Sequence, residues 1–149
     1  MYAKDSVELK VSPEIVFDWL MHFVENYRSW HPDHVKCRWV KGKPFEVGSV
    51  LYAEEFLGGE LHKLKFKITG IEKNKGFKFR ILFPASIFIP TGEFAIEPTT
   101  MGSRFTAKLY YRFGRFLSLF AKREKEIIEK HQKEEGLNLK KLLEGNGEI

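Results

Sequence analysis

His131 and Glu135 are the two residues of this sequence whose types and spacing most invite chemistry. They stand four residues apart in a stretch where Ile127, Ile128, Leu139 and Leu142 recur at helical spacing. Both are therefore expected on the inward face of one helix, one turn above the other. An imidazole nitrogen and a carboxylate oxygen placed in this way can converge on one divalent cation. Spacing alone fits a buried imidazole–carboxylate hydrogen bond better than a metal site, so further donors are required, and two other places offer them. In Trp30-His31-Pro32-Asp33-His34 a rigid proline turn can aim one histidine inward. In the run near 49–57, Val50, Tyr52, Glu54 and Phe56 share one strand face. Glu54 is expected to point to the core side and Glu55 outward, unless a bulge exchanges them.

The elements that must position these groups are legible from punctuation and periodicity. Residues 2 to 11 alternate as a first strand, and Ser12-Pro13-Glu14 supplies an N-cap and a proline at the first helical position. The helix that follows places Val16, Phe17, Leu20, Phe23, Val24 and Tyr27 on one face and stops before Pro32. Strands are expected near 35–41, 49–57, 61–73, 76–83, 92–98 and 103–112, joined by connections short enough for antiparallel neighbours. From about Phe116 to Leu143 one long amphipathic helix closes the chain, with Phe120 on its stripe and a possible bend at Gly136. The fold class is thus α+β: a curved antiparallel sheet of about seven strands gripping a long C-terminal helix, with short helices after the first strand. Its length of 149 residues and hydrophobic content of 43% suit a single domain with one core. A strongly twisted sheet around one helix encloses a cavity of the kind that binds small molecules.

Charge argues mostly against nucleic acid despite a formal net charge of +5. Lys63, Lys65 and Lys67 alternate with Leu64, Phe66 and Ile68 as on the wet face of a half-buried strand. The basic residues of the last helix are interleaved with glutamates. No apolar run reaches the roughly 18 residues of a membrane span, and the N-terminus reads directly into a strand, so the expected location is cytoplasmic. Cys37, the single cysteine, is expected to be a small apolar side chain rather than a nucleophile. Phe79 and Phe83 on one strand, Phe105 on another, and Tyr52 and Phe56 near the carboxylates are the expected walls of a pocket for a small hydrophobic or aromatic molecule. His22 and His62 are expected at the surface.

These features resemble the helix-grip proteins of the START/polyketide-cyclase superfamily (SRPBCC), which share this order of elements and a similar Ser-Pro-Glu-x-Val-Phe helix opening. Three stretches are similar, more narrowly, to the diacetylphloroglucinol hydrolases: Trp30 to His34, Glu54-Glu55-Phe56-Leu57-Gly58-Gly59, and His131 to Leu139. The resemblance implies a zinc site of His34, Glu54 or Glu55, His131 and Glu135, with Glu54 the expected strand ligand. It implies hydrolytic cleavage of a carbon–carbon bond between an acyl group and an electron-rich ring. The further histidine that those hydrolases carry has no clear counterpart; Glu93 stands nearest to its place, and His31 and Glu93 are the candidate catalytic residues. The alternative is a non-enzymatic carrier holding a lipid or other hydrophobic molecule in the same cavity.

Overall fold

The computed structural model describes residues 2–112 and 118–145, the side chains of 118–121 excepted. The chain begins with β1 (Tyr2–Leu9), followed by α1 (Pro13–Met21) and α2 (Phe23–Trp30). Six strands follow: β2 (His34–Lys41), β3 (Val50–Leu57), β4 (Glu60–Glu72), β5 (Gly76–Ile81), β6 (Thr91–Thr99) and β7 (Gly102–Tyr110). The long helix α3 spans Ser118–Lys140 and ends in one wider turn, Lys141–Gly145. All seven strands form one antiparallel sheet in the order β1-β7-β6-β5-β4-β3-β2. The expected helix-grip architecture is present, with α3 running unbroken through Gly136. The expected helix start near Phe116 and the side chain of Phe120 lie outside the described residues.

The expected short helices after the first strand are two, α1 and α2, where the continuous apolar face over Val16 to Tyr27 reads as one. Ser12 is extended ahead of Pro13, as its N-cap position requires, but its side chain makes no capping bond. The break falls at His22, whose φ of −101° and ψ of 34° leave the helical region. Two side chains occupy carbonyls at the break: the His22 ring donates to the Asp18 carbonyl and Asn26 donates to that of Trp19. The offset lets α2 turn Phe23, Tyr27 and Trp30 into the core. Trp30 is then clamped to α3, its indole N–H donating to the Glu135 carbonyl at 3.0 Å while Asn138 donates to the Trp30 carbonyl.

Two details of the sheet set the site. Gly58 and Gly59, with φ of 60° and 84°, form a two-residue hairpin turn between β3 and β4. Its register is continuous from Leu57↔Glu60 to Val50↔Lys67. On the other side β2 carries a bulge at Val35, because His34 pairs with Glu55 while Lys36 pairs with Glu54. The extra residue brings His34 to the same face as Cys37 and Trp39, which pack against the core. No described helix is long and apolar enough to cross a membrane.

Candidate metal centre

Four side chains from three segments converge at the α3 end of β2 and β3. They are His34 at the start of β2, Glu55 on β3, and His131 and Glu135 on α3. His34 Nε2 lies 2.9 Å from Glu135 Oε2, 3.5 Å from Glu55 Oε2 and 3.3 Å from His131 Nε2. His131 Nε2 lies 3.2 Å from Glu135 Oε2 and 3.4 Å from Glu55 Oε2. Zinc bound tetrahedrally at about 2.0–2.1 Å holds its nitrogen and oxygen donors about 3.3 Å apart. These five separations, 2.9–3.5 Å, are close to that spacing, and all donor atoms of the group lie within 4.8 Å of one another.

The hydrogen bonding around the cluster also suits a cation. His34 Nδ1 is 2.8 Å from the Tyr27 backbone carbonyl, which only accepts, so Nδ1 carries the proton. The neutral ring therefore directs its Nε2 lone pair at Glu135, lone pair against carboxylate, unless a proton or a metal ion lies between. Tyr27 stacks on the same ring, centroids 4.0 Å apart and planes at 6°. Burial opposes charge on His131, but hydrogen bonds to Glu135 and Glu55 and their negative charge more than offset this and raise its pKa to about 11. Burial likewise works against a charged Glu135, yet the two histidines hold its pKa down to about 2. Without metal, the cluster is an imidazolium held by carboxylates.

A second group, His31, Asp33, His131 and Glu134, lies on the outer side of the His131 ring. Its hydrogen bonds argue against coordination. The Asp33 backbone N–H donates to His31 Nδ1 at 2.9 Å, so the proton of neutral His31 sits on Nε2, where it is donated to Glu134 at 3.0 Å. Coordination through Nε2 would require an imidazolate. His31 instead packs its ring against that of His131, centroids 4.4 Å apart, and steadies it.

The cluster forms one end of a cavity between α3 and the sheet, lined mostly by apolar side chains including Phe23, Leu51, Phe66, Phe77, Phe79 and Phe94. Tyr27, Glu55, His131, Gln132 and Glu135 supply polar groups to its wall. The comparisons with known proteins bear on this combination of grip, cavity and fold. Residues 3–144 match the family model described as polyketide cyclase / dehydrase and lipid transport. The chain belongs to this family. Among solved structures, the di-domain ARO/CYC BexL from the BE-7585A biosynthetic pathway is similar at TM-score 0.76 and 10% identity, over 97% of this chain and 50% of that one. A protein of Thermus thermophilus, TTHA0849, is similar at TM-score 0.71 and 15% identity, over 95% and 97% of the two chains. Ara h 8.0201 is similar at TM-score 0.62 and 16% identity, over 93% and 97%. At such identities these likenesses establish the fold alone. No curated protein matches the sequence.

Within this member of the family, several expected site residues stand elsewhere. Glu54 is on the outer face, bonded to the Tyr52 hydroxyl and 3.5 Å from Lys36; Glu55 takes the inward place. No bulge on β3 is responsible. Both of its alternating sets are apolar, and the inward one is Leu51, Ala53, Glu55 and Leu57. Tyr52 and Phe56 therefore fall on the outer face, Tyr52 under the Arg38 guanidinium and Phe56 at 39% exposure. Phe83 follows the end of β5 and is 77% exposed, because the strand stops at Ile81. Phe79 does line the cavity. Phe105 lies behind it, buried and stacked on Phe94. Glu93 borders the cavity but pairs across the sheet with Lys78 and Lys108, opposite in alternation to the inward Phe94. His62 pairs with Glu55 and so shares the inner side of β4, half exposed, rather than the lysine face. The helical pattern places Tyr27 only in the core, although its position one turn before the His31–His34 loop is a usable signal.

Proposed function

We propose that the chain is a metal-dependent hydrolase, with zinc as the ion, acting on a small aromatic or polyketide-type acyl compound. Carbon–carbon cleavage of the diacetylphloroglucinol hydrolase kind is the reaction we favour. One observation supports the reading: donor atoms of His34, Glu55, His131 and Glu135 gather within 4.8 Å of one another at the end of an apolar cavity. When bound, the ion polarises an acyl carbonyl and lowers the pKa of water.

The chain's own residues do the rest. The apolar walls hold a flat ring and keep bulk water from it. Tyr27 is the protonated oxygen acid bordering both cavity and cluster, its hydroxyl 3.3 Å from Glu55 Oε2. Burial, then the charges of Glu55 and Glu135, raise its pKa, so the hydroxyl stays protonated at any working pH; its proton is donated to Glu55, and its oxygen is left to accept from a substrate group. Balanced cleavage adds water across the bond: the acyl carbon gains oxygen and leaves as a carboxylic acid, and the ring carbon takes the proton.

The test is elemental analysis of the purified protein beside the His131→Ala/Glu135→Ala double variant, followed by assay of acyl phenols. About one zinc per chain, lost in the variant, together with acid release supports the hydrolase. Wild-type protein that neither contains nor takes up zinc sinks it. The carrier reading draws on the apolar walls and on the family description, which includes lipid transport. It predicts a co-purifying apolar molecule whose retention is indifferent to chelator.

A further inference from the structure

Lys63, Lys65 and Lys67 of β4 stand on the outer face of the sheet with Glu54 and Tyr52, and further cations join them there. Arg38 of β2 pairs with Tyr52, which in turn pairs with Lys65. Arg80 of β5 pairs with Lys67. All are exposed except Lys67, which is half-buried, and none forms an ion pair among the described residues. Glu54, the acid that faces Lys63, is bonded to the Tyr52 hydroxyl and lies 3.5 Å from Lys36 instead. Apolar side chains gather at the margin of this basic field. Phe56 and Leu61 pair across the β3–β4 hairpin at 39% and 45% exposure. The loop after β5 adds Phe83 and Ile87, at 77% and 53% exposure. It is fastened beside the field by the Leu82 N–H, which donates to the Lys65 carbonyl at 2.9 Å. Single exposed apolar residues are ordinary, but a group of them bordering unpaired cations marks an interaction surface.

A layer of phosphate over hydrocarbon answers both features. Nucleic acid answers only the charge. Tyr52, the aromatic ring within the field, lies under the Arg38 guanidinium, whose carbon is 5.1 Å from the ring centroid, so it offers no free outer face to a base. A seven-stranded sheet is also too broad for the DNA major groove, which admits a helix or a two-stranded ribbon. We propose that this end of the outer face docks on a bilayer containing anionic lipid. Phe83, Ile87, Phe56 and Leu61 enter the boundary between headgroups and acyl chains, while the basic side chains hold the headgroup phosphates. The docking depends on neither the metal nor the reaction.

Sedimentation with vesicles tests it, using phosphatidylcholine alone and phosphatidylcholine mixed equally with phosphatidylglycerol. Wild type is expected to bind the mixed vesicles at least about tenfold more tightly than the neutral ones, and raised salt should remove most of that preference. Lys65→Glu/Arg80→Glu should abolish the preference. Phe83→Ser/Ile87→Ser should weaken binding to the mixed vesicles about tenfold or more. If this pair of substitutions prevents folding, Phe83→Ser alone carries the test. Lys133→Glu/Lys141→Glu makes the same change of charge on α3 and the turn that ends it, and should bind within about twofold of wild type. Equal binding to the two kinds of vesicle overturns the proposal. So does an equal loss in the Lys133/Lys141 variant, which would mean that net charge alone decides. Tighter binding to a single-stranded RNA oligonucleotide than to the mixed vesicles overturns it in favour of nucleic acid.

Discussion

One proton on His34 governs what its cluster can hold. Because Nδ1 is committed to the Tyr27 carbonyl, Nε2 is free to ligate, whereas the opposite arrangement at His31 leaves that ring a donor. Glu55→Ala should therefore reduce zinc affinity by about 100-fold or more, judged against the 10–100-fold cost of losing mere supporting partners. Glu54→Ala should leave it within about twofold, as expected of an exposed pair. Competition with a chromophoric chelator measures both, and equal losses would contradict the inward assignment of Glu55. Zinc must displace the proton that His131 otherwise holds up to about pH 11. Affinity should thus rise about tenfold per pH unit near neutrality, and a flat profile would mean that His131 is no ligand. The same groups set the stability of the chelated protein. The raised His131 pKa contributes stability that is complete below 6.5 and is lost as pH climbs toward 11. The lowered Glu135 pKa contributes stability that is complete above 4.5 and is lost as pH falls toward 2. Thermal melts in chelator should accordingly peak between about pH 4.5 and 6.5 as far as this pair decides.

At the scale of elements, the sequence discloses most of the framework and leaves one strand's parity undecided. The Ser12-Pro13 helix start, the glycine-marked hairpins and the apolar stripe of α3 each have a local chemical cause, and each element lies where that cause puts it. β3 is ambiguous because Val50, Tyr52 and Phe56 are as apolar as Leu51, Ala53 and Leu57. Its partner strand resolves the choice. A two-residue Gly58-Gly59 turn pairs Leu57 with Glu60, so Glu54 must face Lys63 on the lysine side and Glu55 must face His62. The Val35 bulge, by contrast, leaves no mark in composition, and neither does the His22 break, whose carbonyl acceptors are known only once the chain has turned. Gly92 carries a further consequence on β6, where an added Cβ would come within 2.5 Å of the Phe79 ring and 2.6 Å of Leu109. Gly92→Ala should push both into the cavity, destabilise the fold by about 1–3 kcal/mol and weaken ligand binding while leaving zinc content unchanged. Parallel melts, titrations and metal analysis test this, and loss of zinc would show that the cavity wall and the metal cluster are not separable.

Across the whole molecule, the four donors join stretches that are far apart in sequence, with His34 and Glu135 separated by 101 residues. An ion bound there favours the folded state by mass action, and zinc at about 100 times its dissociation constant should add about 2.7 kcal/mol. At about 2–4 °C per kcal/mol for a chain of this size, melting should rise by roughly 5–10 °C, and removal of zinc should reverse the gain. An unchanged melt in zinc would count against a site bridging sheet and helix. The Trp30 and Asn138 bonds fasten α2 to α3 beside this junction, with Glu135 itself 6% exposed. That seal has a kinetic meaning. Where a chelator has to wait for α3 to lift from β3, the rate of stripping should climb with chelator concentration and then level off; a rate that keeps climbing would mean entry past the partly exposed His131 side chain. The plateau would be the opening rate of the last helix, and the same opening would set the fastest pace at which any captive molecule can leave the cavity.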